Sequence, residues 1–76
     1  MPTIDIAATG DRIGILRDRA GLNNADIANA LGLTTRNAIY RWMNGTSLPS
    51  LDNLVALAAL FGVGLDDIII TTNRHS

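Results

Sequence analysis

Apolar residues recur at intervals of three and four along most of this 76-residue chain, and the breaks between those stretches fall at glycines and short polar side chains. The start is different: Ile4, Ile6 and Ala8 alternate with Asp5 and Ala7, a period of two that predicts an extended N-terminal arm over residues 1–9. Ile13, Leu16 and Ala20 then share one helical face, predicting a first helix over 11–20 with Thr9 as N-cap and Gly21 at its end. Asn23 caps a second helix. Asp26, three residues on, forms a capping box with a shorter acid than usual; Ile27, Ala28 and Leu31 are its buried stripe, and Gly32 stops it.

After a turn at Gly32-Leu33-Thr34, Thr34 or Thr35 caps a third helix whose apolar face is Ile39, Trp42 and Met43. It ends at Asn44-Gly45. That dipeptide also suits a hairpin, but the flanking periodicity is helical, so a helix C-terminus is the better reading. Pro49 closes the next loop and Ser50 caps a fourth helix, in which Leu51, Leu54, Val55, Leu57, Ala58 and Phe61 form a wide apolar face. Gly62 stops it. Residues 65–69 suit a short fifth helix, while the β-branched run from Ile68 to Thr72 leans toward extended structure. The expectation is an all-α, five-helix domain over 10–70, preceded by the arm and followed by a flexible tail over 71–76.

Composition narrows what such a domain does. Hydrophobic residues make up 47% and charged residues 17%, enough apolar material for one core and too much for a disordered segment. Cysteine is absent and the one histidine, His75, stands near the C-terminus, so no disulfide frame and no Cys/His zinc site are expected. The apolar run 54–65 is too short to span a bilayer, which predicts a soluble, cytoplasmic protein. A net charge of −1 argues against nucleic acid when taken alone. Its distribution argues the other way: between Asp26 and Asp52 there is no acid, and that stretch carries Arg36 and Arg41.

Two short helices joined by a tight glycine-containing turn, the second with one apolar and one polar face, present a helix to the DNA major groove. With Ile39, Trp42 and Met43 inward, Arg36, Asn37, Tyr40 and Arg41 face outward. Arg pairs with a guanine edge and Asn with adenine; Tyr40 suits a thymine methyl or a phosphate. Helix N-termini and adjacent loops offer donors to phosphates, which selects Asn23 and Asn24 before the second helix and Asn44 and Thr46 after the third.

The string Ile13-Gly14-Ile15-Leu16-Arg17, followed by Leu22-Asn23-Asn24-Ala25-Asp26-Ile27-Ala28, Leu31-Gly32-Leu33-Thr34, Ile39-Tyr40-Arg41-Trp42-Met43-Asn44-Gly45, Leu48-Pro49-Ser50 and Leu54, resembles the lambda-repressor-like, XRE-type helix-turn-helix family. The start, Thr3 to Gly10, and the string Ala38 to Trp42 look most like small bacterial stand-alone members. The resemblance implies a five-helix domain, bases read by the third helix, and dimers on two-fold operators. It implies Arg36, Asn37, Tyr40 and Arg41 as base-facing and Asn24, where the family often has Gln, as a phosphate contact. The stretch from Gly32 to Gly45 is one residue longer than the family's commonest spacing, so Thr35 joins the base-facing set. Family members often carry Glu at the Met43 position, partnered with the arginine matching Arg17; here Arg17 needs another partner or water.

The expected function is therefore sequence-specific binding of double-stranded DNA by a transcriptional regulator, of the repressor type, acting as a homodimer formed in solution or only on DNA. No metal, cofactor, catalytic residue, small-molecule ligand or membrane partner is expected. Asp66 and Asp67 are adjacent, not convergent, and suit the start of the fifth helix through its dipole. The rival reading is an antitoxin-like or dimerising interaction module that keeps the fold without reading DNA. Its basis is the apolar strip Ile68 to Ile70, which suits burial against a second copy or pairing as an edge strand with residues 4–8, contacts that are also available within one chain.

Overall fold

The computed structural model describes residues 2–73 and holds four α-helices, α1 (Ile6–Arg19), α2 (Asn24–Leu31), α3 (Asn37–Met43) and α4 (Leu51–Phe61). Two short strands, β1 (Pro2–Ile4) and β2 (Thr71–Asn73), pair antiparallel with Thr3 opposite Thr72, so the two ends of the described chain lie side by side. Helix α1 packs on α3, and α2 packs on both α3 and α4. Ile13, Leu16, Ile27, Ala28, Ile39, Trp42, Leu54, Leu57, Ala58 and Ile68 make the buried core, drawn from every helix. Among the described residues no helix is long and apolar enough to cross a membrane.

Helix α1 starts well before the predicted residue 11. Asp5 is its N-cap, accepting from Ala8 N at 2.9 Å, and the stretch expected to be extended through Thr9 is strand only to Ile4. The buried positions of α1 are Thr9, Gly10, Ile13 and Leu16, at helical spacing. Hydrophobic periodicity misses half of that face, because Thr9 and Gly10 are not hydrophobic. Thr9 is fully buried and caps nothing: its Oγ1 accepts from Ile70 N at 3.0 Å and lies 3.4 Å from Ile70 O. Together with Asp5 N donating to Ile70 O at 2.8 Å, this staples the returning C-terminal segment to the start of α1.

The apolar strip at Ile68 to Ile70 is used inside the fold. Ile68 is fully buried and Ile69 packs against the core, the intramolecular one of the uses open to the strip. Residues 71–73, expected in a flexible tail, pair as β2; 74–76, with His75, lie outside the described residues. The fifth helix is reduced to a single 3-10 turn, Leu65–Asp67. Asp67 Oδ2 accepts from Gly64 N at 3.0 Å, closing the turn, and three successive β-branched isoleucines oppose its continuation as helix. Helix α4 is less covered than its pattern implies: Leu54, Leu57 and Ala58 are buried, but Leu51 is 68% and Val55 53% exposed.

Candidate nucleic-acid interface

Local sequence sets both ends of α2. Asn23 Oδ1 accepts from Asp26 N at 2.8 Å and Asp26 Oδ2 accepts from Asn23 N at 2.9 Å, the reciprocal box read from the sequence. Gly32 closes the helix in the left-handed region at φ 69°. The N–H groups of Asn24 and Ala25 are the first-turn donors that neither the box nor the helix ladder uses.

The connection to α3 runs over residues 32–36. Helix α3 begins at Asn37, with Arg36 in the N-cap position at φ −91°, ψ 0° and no capping side chain of its own. Thr35 Oγ1 accepts from Asn37 N at 3.3 Å, so Thr35 provides the local closure, one residue earlier than a regular N-cap would. Ile39 and Trp42 are buried and Met43 is half-buried, while Thr35, Arg36, Asn37, Tyr40, Arg41 and Asn44 are all exposed. The expected outward face of α3 is thus continuous and carries no acid.

Two close backbone approaches fix where that face lies. A methyl group added at Gly10 would sit 2.1 Å from the Trp42 carbonyl oxygen, so α1 crosses directly over the C-terminal end of α3. Gly45, at φ +76°, turns the chain out of α3, and a methyl there would sit 3.1 Å from Ala7 Cα. Neither contact is visible in sequence spacing, since both join α1 to a segment some 35 residues away. Beyond Gly45, Thr46 N donates to Arg41 O at 2.9 Å and to Asn44 Oδ1 at 3.1 Å.

The asparagines selected as phosphate contacts share one feature. Each has its amide oxygen occupied by a protein donor: Asn23 by Asp26 N, Asn24 by Arg17 Nη1 at 2.8 Å, and Asn44 by Thr46 N. Backbone N–H and guanidinium groups only donate, which fixes the orientation of all three amides. Each asparagine thus keeps its NH2 group, a donor, on the side away from that contact. Thr46 differs: its hydroxyl proton goes to Asn44 Oδ1, so its side chain presents lone pairs instead. Arg36, Asn23, Asn24 and Arg17 line one surface groove with Leu22, Ala25 and Asp18.

Arg17 has found its partners. Its Nε donates to Asp18 Oδ1 at 2.9 Å, and Nη1 donates to Asn24 Oδ1 and to Met43 Sδ, the latter at 3.2 Å. The sequence pattern identified the need for a partner but not Asn24, because the contact joins the end of α1 to the start of α2 around the Gly21 turn.

The helix-turn-helix family model matches residues 13–68. Among solved structures, the restriction-modification controller protein C.AhdI from Aeromonas hydrophila superposes with a TM-score of 0.75 at 26% sequence identity, covering 84% of this chain and 96% of that one. No significant match is found among curated protein sequences. The match over most of the chain, the paired helices α2 and α3 and the acid-free outer face of α3 agree: the chain belongs to the XRE-type helix-turn-helix family.

Proposed function

We propose that the protein is a transcriptional regulator of the repressor type that binds double-stranded DNA, with α3 in the major groove. The observation that carries this reading is the set of amide donors around α3. Phosphate oxygens only accept, and Asn23, Asn24 and Asn44, each held by its amide oxygen, keep an NH2 donor near the exposed Arg36, Asn37, Tyr40 and Arg41. A chain with net charge −1 and no lysine thereby grips a phosphate backbone largely with neutral donors. Binding should depend on salt less steeply than for a basic domain, since the slope counts neutralised phosphates.

Bases are read by Arg36, Asn37, Tyr40 and Arg41, with Thr35 at the edge of the set, and Asn23, Asn24 and Asn44 hold the backbone. Thr46 contributes by fixing Asn44. The neighbour C.AhdI is a restriction-modification controller, and a role in controlling gene expression fits this chain equally. Two copies on a two-fold site place their α3 helices about one turn of DNA apart. The exposed apolar pair Leu51 and Val55, one turn apart on α4, favours self-association in solution or on DNA.

Selection of bound duplexes from a random pool tests the reading. Enrichment of a two-fold sequence is the expected result, and a pool that stays random through successive rounds overturns it. Arg36→Ala should weaken binding to the selected site by about 1–3 kcal/mol and relax preference at one base pair in each half. Sedimentation with and without that duplex reads the stoichiometry: one copy per duplex removes the two-fold arrangement.

A further inference from the structure

The start of α1 meets two distant parts of the chain. Asp5 and Thr9 hold the closing segment: Asp5 N donates to Ile70 O at 2.8 Å, and Thr9 Oγ1 accepts from Ile70 N at 3.0 Å. Ala7 and Gly10 instead meet the exit from α3, where a methyl group on Gly10 would strike the Trp42 carbonyl oxygen and one on Gly45 would crowd Ala7 Cα. Residues 5–10 are thus tied to the C-terminal segment while they lie against the end of the exposed helix. Thr9 is the one buried polar side chain among the described residues, closed to solvent entirely. Valine has the same shape without the hydroxyl, so what threonine adds at this position is the bond to Ile70.

Resting on the DNA-binding reading above, we infer that Thr9 is a positioning residue for α3. By bonding α1 to the segment that closes the domain, it fixes the seat on which the last turn of α3 rests. Asn44 and Thr46, which flank Gly45, share that seat. The C-terminal segment therefore bears on DNA affinity without itself contacting DNA. Once the Thr9 bond is lost, Gly10 is free to withdraw from Trp42 O and Ala7 from Gly45, and the outward residues of α3 lose their fixed orientation. The route runs through backbone contacts between packed elements, so its effect on binding is separable from its effect on stability.

The test uses the full chain and the duplex it enriches from a random pool. Trp42 is the only tryptophan, so its fluorescence reports the end of α3 directly. Thr9→Val should melt lower than the parent and shift the Trp42 emission. At a temperature where it is fully folded, it should bind the duplex about three- to tenfold more weakly, within the range by which substitutions away from a site alter affinity. Thr9→Ser keeps the hydroxyl and loses a methyl group; it should retain parent emission and affinity even though it melts lower. Gly62→Ala, strained at φ +71° with no neighbour within 4 Å, should also melt lower without changing either signal. If Thr9→Val does not fold, Thr72→Gly takes its place, since it loosens the closing segment from its far end. Parent-like emission and affinity in Thr9→Val, or equal losses in Thr9→Ser, overturn the inference while leaving DNA binding intact. A parent protein that enriches no duplex overturns the functional reading, and this inference with it.

Discussion

Helices α2 and α3 belong to one motif but are held by different means. Helix α2 carries its own boundaries: the Asn23–Asp26 box at one end and left-handed Gly32 at the other. Helix α3 has seven residues, no capping side chain at Arg36 and one long closure from Thr35. Neither helix, at eight and seven residues, persists alone in water, since nucleation costs more than a few backbone hydrogen bonds return, but α3 also lacks local signals to fix its ends. Its position comes from Ile39 and Trp42 in the core and from α1 lying across its last turn at Gly10. The ends of α2 are thus locally encoded, and the exposed helix α3 is placed by tertiary packing. Such a division lets the outer side chains of α3 vary without loss of fold.

Four substitutions break or sharpen this contrast. The largest effect is expected at Trp42, 4% exposed: Trp42→Ala should cost about 3–5 kcal/mol in chemical denaturation, a large share of a typical domain's stability. A parent-like midpoint would show that α3 is not anchored there. Next comes Gly10→Ala. Helix propensity alone favours alanine by up to about 1 kcal/mol, whereas the approach of Trp42 O demands a backbone shift and a net loss of about 1–3 kcal/mol. Because the shift displaces α3, affinity for the selected duplex should fall as well; a stabilised variant with parent affinity would remove α1 from the positioning of α3.

Asn23→Ala deletes one half of the box and should cost about 1 kcal/mol of stability, read from urea midpoints at constant slope. The same measurement on Thr35→Ala should give less than about 0.5 kcal/mol, since its bond to Asn37 N is long and exposed. Equal losses at Asn23 and Thr35 would erase the distinction between a locally capped α2 and a tertiary-held α3. The cap and turn signals of α2, the stop at Gly62 and the inward face of α3 were legible because each depends on residues within a few positions of one another. The start of α1 was not: its buried face continues through Thr9 and Gly10, side chains that mark no hydrophobic period.

The candidate site divides along the same line. Which residues of α3 face outward follows from helical spacing around Ile39 and Trp42, and the structure agrees at Arg36, Asn37, Tyr40 and Arg41. The state of the asparagines did not follow, because hydrogen-bond direction depends on which donor arrives at the amide oxygen. For Asn24 that donor is Arg17, seven residues away across a turn. Arg17 was visible as a charge in need of a partner, and its actual contacts are set by where α1, α2 and α3 meet.

The sequence by itself determined the number and kind of α-helices through α4, the helix-turn-helix at 23–45 and its outward residues, since caps, glycines and apolar spacing act over one or two turns of chain. Only the tertiary structure decided that α1 reaches back to Asp5, that Ile68 enters the core while Ile70 bonds to the start of α1, and that the amide oxygens of three asparagines are bonded within the chain. Those outcomes depend on steric fit and hydrogen-bond direction between segments distant in sequence, which exist only once the core has brought them together.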